Sequence, residues 1–204
     1  MNSRTSELEE GTSEIQELPA HLESLDDIPR EIAGRRLQGE FGEHLSPETS
    51  ERLRDTPDLL ENSEDFAASS KETGLSNTEG VLGWSTRLEN PAHVLKGDVG
   101  REIATLIHED LHRATHPETL RQVHANHALG ELYEGVTEHF TEQASDGLYG
   151  FQPGEIYPEQ TEAARLLSGE VGEEALRDWF FKHELNEELR LALERLGSPH
   201  EPSR

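Results

Sequence analysis

The stretch VGREIATLIHEDLHRATH, residues 99–116, decides how the rest of this chain is read. On a helix each residue turns by about 100°. With His108 at zero, His112 falls at about 40°, His116 at about 80° and Glu109 at about 100°. Val99, Ile103, Ile107 and Ala114 fall between about 180° and 260°. One face is therefore apolar, and the other carries two imidazoles a turn apart with a carboxylate beside them. Asp98 stands where a cap is expected, Glu102 sits in the first turn where the dipole favours negative charge, and Pro117 ends the segment.

Within it, HEDLH at 108–112 has metal-ligand spacing. Two histidines four apart offer two nitrogens to one ion, and Glu109 can take a proton from a water activated there without itself ligating. The pattern also arises by chance in a chain with 11 His and 43 Asp plus Glu. Asp110 and Arg113, moreover, stand where the peptidase pattern prefers uncharged residues. A third ligand decides, because catalytic zinc takes three protein ligands and keeps one position open. The helix expected over 128–144 has Glu131, Glu134, Glu138 and Glu142 on one side, and Leu129, Leu132, Tyr133, Val136 and Phe140 on the other. Like charges at this spacing repel by about 0.2–0.5 kcal/mol per pair, and a dication turns that repulsion into binding. His116 is a rival ligand, but three histidines of one straight helix do not readily surround one ion. His124, His127 and His139 read as loop or surface residues.

HEDLH followed by YEGVTE (133–138) resembles the gluzincin metallopeptidases, in which a glutamate on a second helix completes the zinc site. The segment GVLGWSTRLENPAHVLKG (80–97) is similar to the short sheet, with a substrate-binding edge strand, that leads into the active-site helix of small domains of this kind. The resemblance covers about residues 78–145, with a weaker echo to about 183. It implies a zinc-dependent peptidase acting on peptide or protein substrates, with Zn2+ on His108, His112 and Glu134 and with Glu109 as general base. Glu138 is then either a carboxylate steadying a histidine or the ligand in place of Glu134. Tyr157 and His183 are the candidates for donating a hydrogen bond to the developing oxyanion.

Composition limits the alternatives. With 18 Lys plus Arg against 43 Asp plus Glu, a formal charge of −25, the chain lacks the basic stripe that a nucleic-acid partner requires. No apolar run approaches the ~20 residues of a membrane span, so no membrane partner is expected. The first residues lack the parts of a secretory signal, which implies a soluble, by default cytoplasmic protein, with export by a non-classical route left open. There is no cysteine, hence no disulfide and no thiolate ligand. The competing function is a non-catalytic acidic helical interaction protein, with or without a structural zinc.

The expected fold class is α+β, mostly helical: a minimal zincin-like domain with a short β-hairpin before the HEDLH helix and a helical C-terminal part. Residues 1–75 read as an acidic, partly disordered N-terminal extension, and 76–204 as the metallopeptidase domain. Within the extension, 1–27 is aperiodic and acidic, 28–61 holds two helices, and 62–78 reads as a linker. Strands are expected at 80–86 and 92–97, and three C-terminal helices at 159–168, 172–183 and 186–196.

Overall fold

The computed structural model describes Ser24 and residues 27–56, 58–72, 81–85, 90–148 and 157–197. The expectations for 1–23, for the turn at 86–89 and for the loop at 149–156 lie outside the described residues. The fold is α+β and mostly helical, around a small mixed sheet of three strands. In chain order the elements are α1 (Asp27–Phe41), α2 (Pro47–Asp55), β1 (Leu59–Glu61), α3 (Ser63–Glu72), β2 (Gly83–Trp84) and β3 (His93–Leu95). They continue as α4 (Val99–Ala114), α5 (Pro117–His124), α6 (His127–Ala144), α7 (Pro158–Val171), α8 (Glu173–Lys182) and α9 (Glu187–Gly197). None of the described helices is long and apolar enough to cross a membrane.

Helix α4 is the axis of the molecule. Its cap forms as expected: Asp98 accepts from the backbone N–H groups of Gly100 and Arg101, and Glu102 reaches back to the N–H of Gly97. Ile103, Leu106, Ile107 and Leu111 enter one core shared with α1, α6 and α8. The other face is enclosed as well: His108, Glu109, Asp110 and Arg113 are all buried. Sequence periodicity leads one to expect that face to be exposed. Helix α6 and strand β2 cover His108 and Glu109, and the chain at Thr56 and Asp58 covers Asp110 and Arg113.

The hydrophobic core draws on residues from both sides of position 75. Ala33, Leu37 and Phe41 of α1 belong to the same core as α4 and α6. After α2, whose C-cap Thr56 is followed by a proline, the chain forms β1, paired in parallel with β3 (Leu60 opposite Val94). The expected hairpin is present as the antiparallel pair β2/β3, so the strand order is β1-β3-β2. In place of the linker stands α3, where Asn62 accepts from the N–H groups of Glu64 and Asp65 and Phe66 is the buried anchor. Asn at the cap with acids in the first turn was a readable start signal. A single apolar anchor in a run of small polar residues hid it.

Two contacts position the site. Gly135 of α6 lies so close to α7 that a Cβ there would meet the carbonyl oxygen of Gln160 at 2.1 Å. On the far side of α4, Arg113 is 1% exposed; its Nη1 donates to Asp58 and to Asp110 Oδ1 (2.8 Å), and its Nη2 to the Thr56 carbonyl. Asp58 also accepts from the N–H of Ala92 beside β3. Burial pushes both carboxyls up, Asp110 well above its ordinary value, with the charge of Asp58 adding to the effect. Both acids thus hold a proton more readily than exposed carboxyls do, which eases the crowding of negative charge around the guanidinium. Asp110 and Arg113 tie α4 to the chain just ahead of β1 and of β3.

Gly135→Ala is expected to destabilise the fold by about 1–3 kcal/mol, since backbone rather than a flexible side chain must yield; denaturant melts measure it. Arg113→Met should cost about 3–5 kcal/mol by stranding buried acids. Asp110→Asn keeps the acceptor for Arg113 and adds an amide donor toward Asp58, so it should stay within about 1 kcal/mol of the parent.

Candidate metal centre

His108 and His112 leave α4 on the same side, one turn apart, and Glu134 meets them from α6. One nitrogen from each ring and one carboxylate oxygen lie within 4.8 Å of one another. The two Nε2 atoms are 3.1 Å apart, and Glu134 Oε2 is 3.4 Å from His112 Nε2 and 3.8 Å from His108 Nε2. Zinc–ligand bonds of about 2.0–2.1 Å at tetrahedral angles put ligand atoms about 3.3 Å apart. The three edges fit a single small dication.

The outer nitrogens are fixed by a directional chain. Thr115 Oγ1 donates to the Leu111 carbonyl, which can only accept. Tyr133 Oη, 2.9 Å from Thr115 Oγ1, must then donate to it, and His112 Nδ1, 2.8 Å from Tyr133 Oη, must donate to the phenol. Burial pushes the Tyr133 phenol far up, so it keeps its proton. On the other ring, His108 Nδ1 lies 3.2 Å from Oε2 of Glu138, a carboxylate 1% exposed, and donates to it. Both imidazoles therefore turn Nε2 toward each other and toward Glu134, a set that one positive charge, a proton or a metal ion, joins. Burial raises Glu134, but the hydrogen bond and charge of His112, followed by the charge of His108, outweigh it and hold this carboxyl below its ordinary value.

Glu109 is 6% exposed, next to the pair on α4. Burial lifts its carboxyl to about 7, against the pull of His108 and a hydrogen bond from Ser85. Strand β2 approaches it through Gly83, where a Cβ would lie 2.6 Å from Thr105 Cγ2 and 3.0 Å from Glu109 Oε1. The cluster opens into a cleft of about 340 Å³ lined by Trp84, Ser85, Leu120, His124, Tyr133 and Tyr157 among others. Tyr157, at the start of α7, stacks on the His108 ring (centroids 6.2 Å apart), and burial together with Glu134 raises its phenol to about 12.

Of the residues singled out in the sequence, His108, Glu109, His112, Glu134 and Tyr157 come together around this cleft. Glu138 is not in the ligand triangle and supports His108 instead. His183 is placed elsewhere. It ends α8 in a left-handed conformation (φ 56°), hydrogen-bonds Thr119 and stacks on His116, and it does not line the cleft. His116 is turned away by the break at Pro117 and caps α5, accepting from the N–H of Glu118. Tyr133 and His124 are the functional side chains the sequence did not mark. Tyr133 lies on the apolar face of α6 by periodicity, and His124 depends on α5, a helix not expected.

Comparison with known family models, curated proteins and solved structures returned no match. What this centre can do rests on its own geometry.

Tyr133→Phe and Glu138→Gln should each weaken zinc binding by about 10–100-fold, by freeing one ring while leaving all three ligands in place. Competition against a chromophoric chelator reads this directly.

Proposed function

We propose that this chain is a zinc-dependent peptidase that cleaves extended peptide segments. The observation that carries the reading is the triangle of His108 Nε2, His112 Nε2 and Glu134 Oε2, with edges of 3.1, 3.4 and 3.8 Å and both Nδ1 atoms already committed as donors. Three protein ligands at a cleft leave a fourth position for water, the composition of a catalytic rather than a structural zinc site. When bound, the ion supplies the Lewis acidity that makes water nucleophilic near neutral pH and polarises the scissile carbonyl.

The rest of the chemistry belongs to the protein. Glu109, next to His108 but outside the ligand triangle, accepts the proton of the attacking water and passes it to the leaving amine. Its burial raises its proton affinity toward neutrality, as suits a group that must take and return a proton at one pH. Beside a dication the same carboxyl is ionised at neutral pH and ready to accept. Tyr157, a protonated phenol in the cleft, donates to the oxyanion as it develops. Strand β2 ends the sheet order on the side of the cleft, and its outer edge offers main-chain hydrogen bonds to an extended substrate.

Glu109 also separates this reading from a structural zinc. A site that only holds the fold together has no use for a buried carboxylate against its first ligand, where desolvation works against the charged form.

Protein purified without chelator should carry one tightly bound zinc, and His112→Ala should lose it. Glu109→Gln should keep that zinc and lower hydrolysis in a peptide library by at least about 100-fold. A parent that takes up no zinc at this cluster, or a Glu109→Gln variant as active as the parent, overturns the proposal.

A further inference from the structure

We infer that His44, Glu174 and Asp178 form a second site for a divalent cation that accepts nitrogen and oxygen ligands, of which zinc is the representative. It lies where the turn after α1 meets α8. His44 is held in that turn by its N–H bonding the Phe41 carbonyl (2.8 Å), with its ring stacked near Phe181 (centroids 6.1 Å, 29° between planes). Glu174 and Asp178 stand one turn apart on α8 and face the ring. One imidazole nitrogen and one oxygen of each carboxylate lie within 4.8 Å of one another.

The second observation is the state of the ring. The His44 side chain is 8% exposed, and its Nδ1 is buried with no hydrogen-bond partner. That nitrogen points at Asp178 Oδ1 from 3.7 Å, and Nε2 faces Glu174 Oε2 from 3.7 Å. The Nδ1 gap is too long for a hydrogen bond and close to the spacing of atoms that share an ion, so the ion binds at Nδ1 beside Asp178, and Glu174, on the Nε2 side, reaches it by turning its carboxylate. A histidine is rarely buried with a nitrogen idle, and two carboxylates a helical turn apart repel unless something positive joins them. Asp178 Oδ1 already accepts from Lys182 Nζ at 2.7 Å, so the ion must compete with an ammonium for that atom. Glu174 is 73% exposed and free to close on the ion. An imidazole among the ligands selects zinc-like cations over calcium or magnesium.

The site is separate from the His108 cluster. Binding there joins the end of α1 to α8, a junction that Arg177 already spans by donating to Glu40 Oε1 (2.6 Å). Competition from Lys182 makes it the weaker of the two sites.

The test is calorimetric titration of the full chain, stripped of metal, with Zn2+ in excess Mg2+ to suppress scattered acidic sites. The parent should bind two equivalents. Glu174→Gln alters an exposed side chain and should weaken the second by at least tenfold while sparing the first. His44→Gln should remove the second alone, and His112→Ala the first alone. A single equivalent in the parent that His112→Ala abolishes overturns the second site and leaves the peptidase reading standing. So does a second equivalent that survives both Glu174→Gln and Asp178→Asn, as dispersed binding to the acidic surface would. A single equivalent lost on His44→Gln and kept in His112→Ala supports the second site and overturns the first.

Discussion

Helix α4 carries His108, Glu109, Asp110 and Arg113 into the interior, and burying polar groups there is costly unless each is paired or discharged. The surrounding architecture is organised by how those four are satisfied. On one side Arg113 donates to two buried carboxyls, and in doing so draws the chain around β1 and β3 onto the helix. On the other, two imidazoles are turned inward by donors and acceptors supplied from α6. The apolar residues of α4 place it in the core, and the polar ones determine what may pack against it.

Charge balance connects the two sides. Asp58 and Asp110 flank the Arg113 guanidinium, while Glu109, Glu134 and Glu138 stand around the two imidazoles. Glu134 is held below its ordinary value by the two histidines and stands opposite their Nε2 atoms. A proton shared by the histidines relieves some of this. A dication relieves more, because it meets both lone pairs and the carboxylate at once. In a region of low effective dielectric that difference is amplified.

Much of this was legible in the sequence because it follows from helical periodicity. The faces of α4 and α6, the cap at Asp98, the stop at Pro117 and the three C-terminal helices all come from spacing and breaker residues. Choosing Glu134 over Glu138 was not. Both lie on the same side of α6, one turn apart, and which reaches the Nε2 atoms depends on how far α6 slides along α4. Strand β1 and helix α3 were missed for a different reason. Each is short, and each packs on partners remote in sequence, Val94 for Leu60 and strand β3 for α3. Local propensity is a weak guide where tertiary pairing supplies most of the stabilisation. His183, a candidate oxyanion donor because it follows the two helices of the cluster, is placed by the left-handed turn ending α8 against Thr119, a turn that periodicity does not reveal.

The register of α6 accounts for most of the chemistry assembled at the cleft. Tyr133, Glu134, Gly135 and Glu138 lie within a turn and a half of that helix, and each serves a different neighbour. Tyr133 orients one imidazole, Glu138 the other, and Glu134 closes the ligand triangle. Gly135 does its part by having no side chain. It lets the α7 backbone come within contact of α6, and Tyr157, at the head of α7, is thereby laid against His108. A slip of α6 by one residue would move all four off their partners together. The Glu-Gly pair is therefore a packing requirement as much as a chemical one: the residue that meets the two histidines and the residue that admits α7 are adjacent because the histidines and α7 lie on neighbouring sides of α6.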